Sequence, residues 1–590
     1  MGVFDKASLA LVPDGIKDGK LYSVKPTDGS GDFTFERGFN LSATRVDENG
    51  LIEKGRENLL INSVWDGVST DTKPTNWTSQ FLSGTGTFDA TSIEGQIRFT
   101  TSDSSGRCVI LTPNITINGT LTLSVYVDVV YTQCQVIQIL GRSANATAIA
   151  YYEDGIEVNF NHNVQAGKRY SIVFNKTADT TFRFGVGVSG GTLGDIVLSR
   201  PQLEQGLVAT DYIETGATTA QAAILEDLPR IDYTGGTPSL LLEPSRTNLV
   251  EQSEYITNGT AITALNNDTQ SPEGVVNATS LTLGVDGSAT RHRKLFALSA
   301  TSGEDYSFSV FFKEADAQWI QLLGNTPNGV FDSQTYVNFD LQNGVKGNVG
   351  TAVVDSGIED YGNGWYRCYM VATAQTTETG YLEILTTNNT DSGRYPSYQN
   401  TTAINYCYMY GAQIEEGSYP TSYIPTYGAI ATRGADSSTS GTISNVNEGV
   451  LFFEGSVLKN NNTIKLIEFN DGGLLNVIQL YYRDSVGTVP RVYAIAKEEG
   501  SQVYGTAYDI PSGRGEDTHK VAFRFEDNNF ALFYNGTKVH SQTSGTILTN
   551  PKNQLMYGTS TGAIPFKGNI KQTLVFPEAL SDAECITLTT

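Results

Sequence analysis

The chain has 590 residues with 63 acidic against 39 basic side chains, which gives a formal net charge of −24 at pH 7. A protein that binds nucleic acid needs a basic footprint, so this balance argues against nucleic acid as a partner. The length exceeds what one hydrophobic core usually fills, so several domains are expected. The 60 glycines and the 10% of aromatic residues favour many short strands with tight turns over a helical bundle or a disordered chain.

Residues 1–55 are interpreted as a leader. Its apolar residues form few local clusters, and glycine and aspartate are concentrated in Asp28–Asp32. Segments of this kind become ordered when they bind a partner, so we expect the leader to have no core of its own. The first residues show neither the charged and apolar regions of a signal peptide nor a run long enough to cross a bilayer. No membrane insertion is expected.

Two cassettes follow the leader, at residues 56–216 and 246–428. Each opens with an Arg-x-Asn-Leu motif and closes with a Gln-x-Glu-x-Gly motif, which is followed at the same spacing by a tyrosine. The motifs start at Arg56 and Gln202 in cassette 1, and at Arg246 and Gln413 in cassette 2. A repeat at fixed spacing indicates a duplicated structural unit. We therefore predict one fold twice, with Tyr212 and Tyr423 in equivalent places.

Strand patterns run through the whole chain. Apolar and polar side chains alternate in Leu121–Val127 and Tyr306–Phe312, which indicates strands with one buried and one wet face. Asn-Gly and Asp-Gly pairs between such runs indicate hairpin turns. The predicted fold class is all-β, with tandem antiparallel β-sandwich (jelly-roll) domains. A connector at 217–245, a linker at 429–445 and a third module at 446–590 complete the predicted organisation.

Three tryptophans are the candidate ligand-binding residues: Trp77, Trp319 and Trp365. A pyranose ring stacks its apolar side on an aromatic ring, while nearby amides and carboxylates bind its hydroxyl groups. Trp77 lies between Asn76 and Thr78 in a polar stretch, so it is expected to be the most exposed of the three. Packing in a core is the competing interpretation for each of them.

Oxygen-rich turns are the candidate metal sites. Asp527, Asn528 and Asn529 would offer ligands to Ca²⁺, and residues 388–391 have a similar composition. Ordinary turn chemistry explains both stretches equally well, and no other cofactor is expected. The five cysteines include no Cys-x-x-Cys pair, so buried free thiols are predicted for most of them.

The sequence carries no recognisable catalytic motif. It has no Gly-x-Ser-x-Gly elbow, no phosphate-binding loop and no His-Glu-x-x-His pattern. Glycoside hydrolysis needs two carboxylates at a defined separation, one of them in a setting that keeps it protonated. No acidic pair in this sequence lies in such an apolar setting, so the chain is expected not to be an enzyme.

Several segments are similar to known families. Residues 446–590, with the strand from His519, the turn at Asn535 and the stretch Gly568–Glu584, resemble the concanavalin A-like/laminin G-like lectin fold. The segment Asn363–Arg367 and the closing Gln-x-Glu-x-Gly motifs resemble carbohydrate-binding-module jelly rolls of phage structural proteins. Cassette 1 has no Gly-Trp-Tyr-Arg segment, which puts a ligand site shared by both cassettes in question.

The leader resembles the start of fibre-like virion proteins of phages that infect Bacteroidetes-type bacteria, on Phe4–Leu9, Gly19–Ser23, Asp28–Phe33 and Ala43–Val46. The resemblance implies a non-enzymatic virion structural protein of the head or tail, made in the host bacterial cytoplasm and displayed on the virion surface. It also implies that the leader attaches to other phage virion proteins, that the modules bind cell-surface or mucosal glycans, and that the chain forms a homo-oligomer, typically a trimer. A purely structural capsid or tail decoration protein and a glycan-degrading enzyme or accessory module are the alternatives.

Overall fold

The computed structural model describes all residues except 1, 18, 39–40, 104–105, 133–145, 160–161, 178–182, 189–192, 225–226, 326–328, 442–445, 459–462, 484–488, 512–517, 548–549, 551 and 559–565. Strands predominate among the described residues, beside a short 3₁₀ helix at Val3–Lys6 and the α-helix α1 at Asp582–Thr589. The all-β fold class is therefore confirmed. In the described part of the chain, no helix has the length and apolar character needed to cross a membrane.

The chain divides into two compact units. The first unit comprises Met1–Glu53, Ile224–Arg246 and Thr432–Thr590, and the second comprises Lys54–Ala223 and Thr247–Ala431. Three short strands include residues on both sides of these boundaries: β6 (Ile52–Lys54), β21 (Arg246–Asn248) and β33 (Ala431–Arg433). The second unit contains most of both cassettes.

The first unit is a sandwich of two antiparallel sheets. Its strands are β1 (Leu9–Leu11), β2 (Ile16–Lys17), β3 (Lys20–Leu21), β4 (Phe33–Glu36), β5 (Thr44–Val46), β19 (Arg230–Asp232), β20 (Ser239–Leu242), β34 (Ser437–Ser440), β35 (Gly449–Val457), β36 (Thr463–Asn470), β37 (Val477–Arg483), β38 (Arg491–Glu498), β39 (Ser501–Asp509), β40 (His519–Phe525), β41 (Phe530–Tyr534), β42 (Thr537–Gln542), β43 (Gln554–Tyr557) and β44 (Gly568–Phe576). One sheet has the order β19-β20-β44-β35-β40-β41-β42, with β1 also paired to β44, and the other has the order β2-β3-β4-β34-β43-β36-β37-β38-β39. Side chains from both sheets, such as Phe453 and Ile478, meet in one core.

The leader is part of this sandwich, so the expectation that it becomes ordered only on binding a partner is wrong. Leu9 and Phe33 are fully buried in the core of the first unit. Strand β1 pairs with β44, where Leu9 lies opposite Val575, and β4 pairs with β34. These strand partners lie far away in the sequence, at Ser437–Ser440 and Gly568–Phe576, and a search for local apolar clusters does not find them. Deleting residues 1–45 would remove buried strands rather than a free tail.

A buried ionic network lies in the first unit. The Arg230 guanidinium contacts Asp436 and binds Glu243 with an Nη1–Oε2 distance of 2.8 Å. Arg433 Nη1 lies 2.9 Å from Glu243 Oε2, and Arg37 Nη1 lies 3.7 Å from Asp436 Oδ1. Burial lowers the pKa of Arg37 to about 10, because its charge loses hydration. Arg433 and Asp436 belong to the predicted linker at 429–445, and their ion pairs hold this part of the chain in the first unit.

The strands of the second unit form two sandwiches, one for each cassette. Cassette 1 contains β7 (Arg56–Asn58), β8 (Ser79–Ser83), β9 (Thr87–Ala90), β10 (Gln96–Thr101), β11 (Arg107–Leu111), β12 (Gly119–Thr132), β13 (Ala146–Glu153), β14 (Ile156–Val158), β15 (Lys168–Lys176), β16 (Gly185–Val188) and β17 (Gly194–Gln205), and β18 (Ala220–Ala222) follows it. Cassette 2 contains β22 (Thr263–Gln270), β23 (Val276–Leu283), β24 (Arg293–Ser299), β25 (Asp305–Glu314), β26 (Trp319–Gly324), β27 (Tyr336–Asp340), β28 (Val345–Val349), β29 (Val353–Asp360), β30 (Trp365–Thr373), β31 (Thr379–Thr386) and β32 (Ile404–Glu416).

The larger sheets of the two cassettes share one strand order, which supports the predicted duplication. The larger sheet of cassette 1 has the order β9-β10-β17-β12-β15-β13-β14, and that of cassette 2 has the order β22-β23-β32-β25-β30-β29. Equivalent strands stand in the same order, and cassette 1 adds β14 at one edge. The opposing sheets differ: they are β8-β11-β16 in cassette 1 and β24-β31-β26-β27-β28 in cassette 2, and the pair β11-β16 corresponds to the pair β24-β31.

Matching hydrogen bonds explain why the motifs at the two ends of each cassette recur. Asn58 Nδ2 donates to Ile213 O at 2.8 Å in cassette 1, and Asn248 Nδ2 donates to Ile424 O at 2.8 Å in cassette 2. The hydroxyl groups of Tyr212 and Tyr423 lie 2.7 Å from the Oγ atoms of Ser63 and Ser253, respectively. The opening and closing motifs of each cassette are therefore fastened to each other, and the two tyrosines occupy equivalent places as predicted.

The described cysteines agree with the sequence-based expectation. Cys108, Cys368, Cys407 and Cys585 are buried free thiols. Burial raises the pKa of Cys108 to about 11, because the thiolate would lose its hydration. Cys134 lies outside the described residues.

Candidate functional site

A cavity of about 320 Å³, here called the inter-cassette cleft, lies between the two sandwiches of the second unit. Tyr126, Tyr152 and Arg169 of cassette 1 line it, together with Asn267 and Val276 of cassette 2. Concave sites of this size, with aromatic walls and a few polar groups, are the usual form of a small-ligand site.

Strand irregularities place two of these side chains in the cleft. The register of β12 against β17 shifts between Ser124 and Tyr126. The register of β22 against β23 shifts between Leu265 and Thr269, and Asn267 within that stretch has a φ of 56°. A β-bulge changes the direction of a side chain, and positive φ is uncommon outside glycine. Both irregular positions line the cleft.

Arg169 is the cationic group of the cleft. Its Nη2 donates to Ser124 Oγ at 2.7 Å, its Nη1 donates to the Thr210 carbonyl oxygen, and its guanidinium lies 5.3 Å from the ring centroid of Tyr126. Burial lowers its pKa, but an arginine side chain keeps its proton in proteins. The cleft therefore has a fixed positive charge stacked on an aromatic ring.

Two polar atoms of the cleft-lining residues lack an internal partner. Asn267 Nδ2 donates to the Tyr152 hydroxyl at 2.9 Å and to Leu207 O at 2.8 Å. Asn267 Oδ1 and Arg169 Nε are buried, and neither makes a hydrogen bond in the described part of the chain. Buried polar atoms without partners are rare because losing hydration is costly. Asn267 and Arg169 therefore have unused hydrogen-bonding capacity beside the cleft.

Cassette 2 has an arginine equivalent to Arg169, although cassette 1 lacks the Gly-Trp-Tyr-Arg segment in which that arginine stands. In the strand register, Arg169 lies opposite Tyr126 and Arg367 lies opposite Phe311. Arg367 Nη2 donates to Ser309 Oγ at 2.9 Å, as Arg169 does to Ser124. Only the arginine of the element recurs in cassette 1, where Ala166, Gly167 and Lys168 stand at the other three positions.

The three predicted tryptophans do not line the cleft. Trp77 is 1% exposed in the core of cassette 1, with its ring centroid 5.9 Å from that of Trp65, so the expected exposure is wrong. Trp365 is also buried, and its Nε1 donates to Gln270 O at 3.1 Å. Trp319 is half-buried at the start of β26. Trp77 and Trp365 have no ring face open to a sugar.

The predicted calcium turn uses its oxygens internally. Asp527 Oδ1 accepts from Ile547 N at 2.6 Å, and Asn529 Oδ1 accepts from Arg524 Nη2 at 2.9 Å. Asn528 has a φ of 54°, as a turn residue does. A guanidinium beside Asn529 does not suit a cation. Among the described residues, no group of three or more His, Cys, Asp and Glu side chains is placed to hold a metal ion.

A buried cation lies in cassette 2. The Lys54 ammonium, which precedes cassette 1 in sequence, lies 2.7 Å from Glu254 Oε1 and 2.6 Å from Glu273 Oε1. It also lies 5.4 Å from the ring centroid of Tyr427, and the hydroxyl of Tyr410 contacts Glu273. Two carboxylates share one ammonium, so one negative charge is in excess. Burial raises the pKa of Glu273 to about 7, against the pull of Lys54.

This pKa predicts a specific loss of stability with rising pH. Folding raises the pKa of Glu273 from 4.5 to about 7. The stabilising effect of this proton is complete below 4.5, and it is lost as the pH rises through 7. The linked loss is on the order of 3 kcal/mol. In the Glu273→Gln variant the side chain is neutral at every pH. The unfolding free energy of this variant should therefore lack the pH-dependent loss that Glu273 causes.

The measurement is urea unfolding of the second unit between pH 4.5 and pH 8, with the variant compared with the unaltered chain. Glu378→Gln is the matched control, because Glu378 is exposed and outside the cluster. Equal pH slopes for Glu273→Gln and the unaltered chain would contradict the assignment.

Several solved structures resemble part of the chain, and three of them are of the carbohydrate-binding module CBM40 of Ruminococcus gnavus IT-sialidase. The module bound to α2,6-sialyllactose is 21% identical, with 25% of this chain and 85% of that chain covered and a TM-score of 0.22. The module bound to α2,3-sialyllactose is 23% identical, with 25% and 83% covered and a TM-score of 0.21. No protein-family model and no curated protein matches the chain. These three structural neighbours are of one carbohydrate-binding module, and the sialyllactoses are ligands of that module.

Proposed function

We propose that this chain is a non-enzymatic glycan-binding protein and that the inter-cassette cleft is its sugar site. The observation that carries the proposal is the pairing of aromatic walls with unsatisfied polar atoms. Tyr126 and Tyr152 offer ring surface for the apolar side of a pyranose. Asn267 Oδ1 accepts from a hydroxyl group, and Arg169 Nε donates to a ring or hydroxyl oxygen.

The carboxylate chemistry of the cleft supports binding over hydrolysis. Asp154 is the carboxylate found among the described lining residues. Its Oδ1 accepts from Arg169 N and its Oδ2 from Lys168 Nζ, both at 2.8 Å. Glycoside hydrolysis uses two carboxyl groups across the scissile bond. The cleft has no second carboxyl group in its described lining, which favours a binding protein over a glycan-degrading enzyme.

The setting proposed for this binding is the surface of a phage particle, on the strength of the leader's resemblance to fibre-like virion proteins. A single shallow sugar site binds weakly, but many copies on one particle raise the effective concentration and the avidity. A homo-oligomer, typically a trimer, would serve this purpose. Because β1 and β4 are buried strands, attachment to other virion proteins would use exposed surfaces rather than a free leader. Labelling intact particles with antibody against the first unit tests this setting.

The site is tested by glycan-array binding of the full chain and of Tyr126→Ala. Losing the stacked ring should weaken the best glycan at least about tenfold. Asn267→Gly keeps the left-handed backbone but removes the free amide oxygen, so it should weaken binding as well. Tyr131→Ala is the matched control, because Tyr131 is 60% exposed and does not line the cleft.

Two results would contradict the sugar site. Glycan binding that is unchanged in both cleft variants would place the sugar elsewhere on the chain. Failure of the full chain to bind any glycan, with its fold intact by circular dichroism, would favour the alternative of a purely structural decoration protein.

A further inference from the structure

Cassette 1 contains a second cavity, here called the Arg200 pocket. It has a volume of about 340 Å³ and is open to solvent through the exposed residues Glu94, Arg200 and Glu214. Ser63, Asp128 and Tyr212 form further parts of its lining. No residue of this pocket belongs to the inter-cassette cleft.

The Arg200 pocket occupies the place in cassette 1 that the Lys54 ammonium fills in cassette 2. Tyr212 and Tyr423 are equivalent, and each is hydrogen-bonded to an equivalent serine, Ser63 or Ser253, at 2.7 Å. Glu94 precedes Gly95 in the turn before β10, as Glu273 precedes Gly274 in the turn before β23. Both glycines have positive φ, at 76° and 81°. The duplicated fold therefore builds the same recess twice.

The two recesses differ in how their negative charge is supplied. Glu254, a ligand of Lys54, stands one residue after Ser253, and the residue after Ser63 is Val64. Cassette 1 has Asp128 and Glu214 at its pocket instead. Asp128 lies at a register shift between Val127 and Val129 in β12. The pairing of β25 with β32 has no second shift of this kind.

The pocket contains one cation, Arg200, which does not balance the negative charge of the surrounding carboxylates. Arg200 Nη2 lies 3.3 Å from Asp128 Oδ1, and its guanidinium lies 3.7 Å from the ring centroid of Tyr126. Asp128 Oδ2 is buried without a hydrogen-bond partner in the described structure. Glu94 and Glu214 also face the pocket, so three carboxylates stand against one guanidinium.

The backbone conformation of Arg200 indicates that its side chain has a role in the pocket. Arg200 has a φ of 52°, in the left-handed region that disfavours residues with a Cβ. The equivalent position in β32 is Gly411, with a φ of 61°. Glycine would take this conformation without strain, so an arginine adopts it at an energetic cost.

We propose that the Arg200 pocket binds a primary ammonium group, of the kind that a lysine side chain carries, as its counterpart in cassette 2 binds Lys54. Asp128 Oδ2, Glu94 and Glu214 accept its hydrogen bonds, and Arg200 forms one wall. Lysine side chains of a protein and amino sugars of a glycan both present this group.

The test is calorimetric titration of the full chain with Nα-acetyl-lysine methylamide, and with its neutral analogue Nα-acetyl-norleucine methylamide. Glucosamine and glucose form the second pair. We expect at least one of the two cations to bind at least about tenfold more tightly than its neutral analogue, because charge-assisted hydrogen bonds need the ammonium. Preference for the lysine compound identifies a protein side chain as the source, and preference for glucosamine identifies an amino sugar.

Variants tie the binding to this pocket. Glu94→Gln combined with Asp128→Asn should weaken the preferred cation at least about tenfold, and Glu378→Gln should leave it unchanged. Val64→Glu copies Glu254 of the Lys54 site and should strengthen binding. Asn267→Gly, which disables the inter-cassette cleft, should have no effect and thereby separates this site from the sugar site.

Equal affinity for cations and neutral analogues would overturn the proposal, as would absence of binding by either cation. The proposal would also be overturned if the Glu94→Gln/Asp128→Asn variant bound the cation as tightly as the unaltered chain and Val64→Glu did not increase the affinity.

Discussion

Asp436→Asn is expected to lower the unfolding free energy of the first unit by about 3–5 kcal/mol. Asp436 contacts Arg230 and lies 3.7 Å from Arg37, and Glu243 is the other acid of the network. The substitution leaves three buried guanidinium groups facing one carboxylate. An uncompensated buried charge costs far more than an exposed ion pair contributes, because water cannot restore its hydration.

The effect is measured by hydrogen exchange in increasing urea, read on peptides of the first unit. Asp509→Asn is the matched control: it removes the partner of Arg491 from a pair that is 46% and 59% exposed. That pair should contribute less than about 1 kcal/mol. A similarly small loss for Asp436→Asn would show that the network does not hold the unit together.

Asn248→Ala and Asn58→Ala are each expected to cost about 4 kcal/mol or more in the second unit. Both side chains are fully buried. Asn248 accepts from Val250 N and Ile414 N, each at 3.1 Å, and donates to Ala412 O and Ile424 O. Alanine would leave these buried backbone groups without their partner, and each such group costs about 1–3 kcal/mol.

The two variants also test the duplication, because Asn58 makes the corresponding bonds in cassette 1. Unfolding by urea should show losses within about 1 kcal/mol of each other. Asn389→Ala, in an exposed turn, is the control and should be nearly neutral. A large loss in one cassette and none in the other would argue against equivalent roles for the two asparagines.

The sequence predicted the duplicated fold because the repeated residues are the ones that fasten each sandwich. The side chains of Asn58 and Gln202 both bind the backbone of Ile213, and Asn58 Oδ1 also accepts from Leu203 N, so these residues recur with fixed spacing. The alternation in Leu121–Val127 likewise predicted a strand, which is β12. The wet face expected for it is wrong, because the polar side chains of Thr122 and Ser124 are buried as well. Features that depend on local side-chain chemistry could be predicted.

The binding recesses could not be predicted in this way. Tyr126 and Asn267 reach the cleft through register shifts, and such shifts follow from strand pairing rather than from periodicity. Trp77 looked exposed because its neighbours are polar, yet Asn76 is a turn residue with a φ of 68° and the ring turns inward. The equivalence of Arg169 and Arg367 is also set by register rather than by flanking sequence.

The pairing of β1 with β44 sets an order of events during synthesis. Ser8 donates to Val575 O across 567 positions of sequence. At roughly 5–20 residues per second, a ribosome needs roughly half a minute to two minutes to make the partner strand after the leader has emerged. The second unit can fold during that interval. Leu9 and Phe33 stay exposed until the residues that bury them have been synthesised. A chaperone that shields this apolar segment on nascent chains would raise the yield of folded protein, and chains cut short before β44 would aggregate through it.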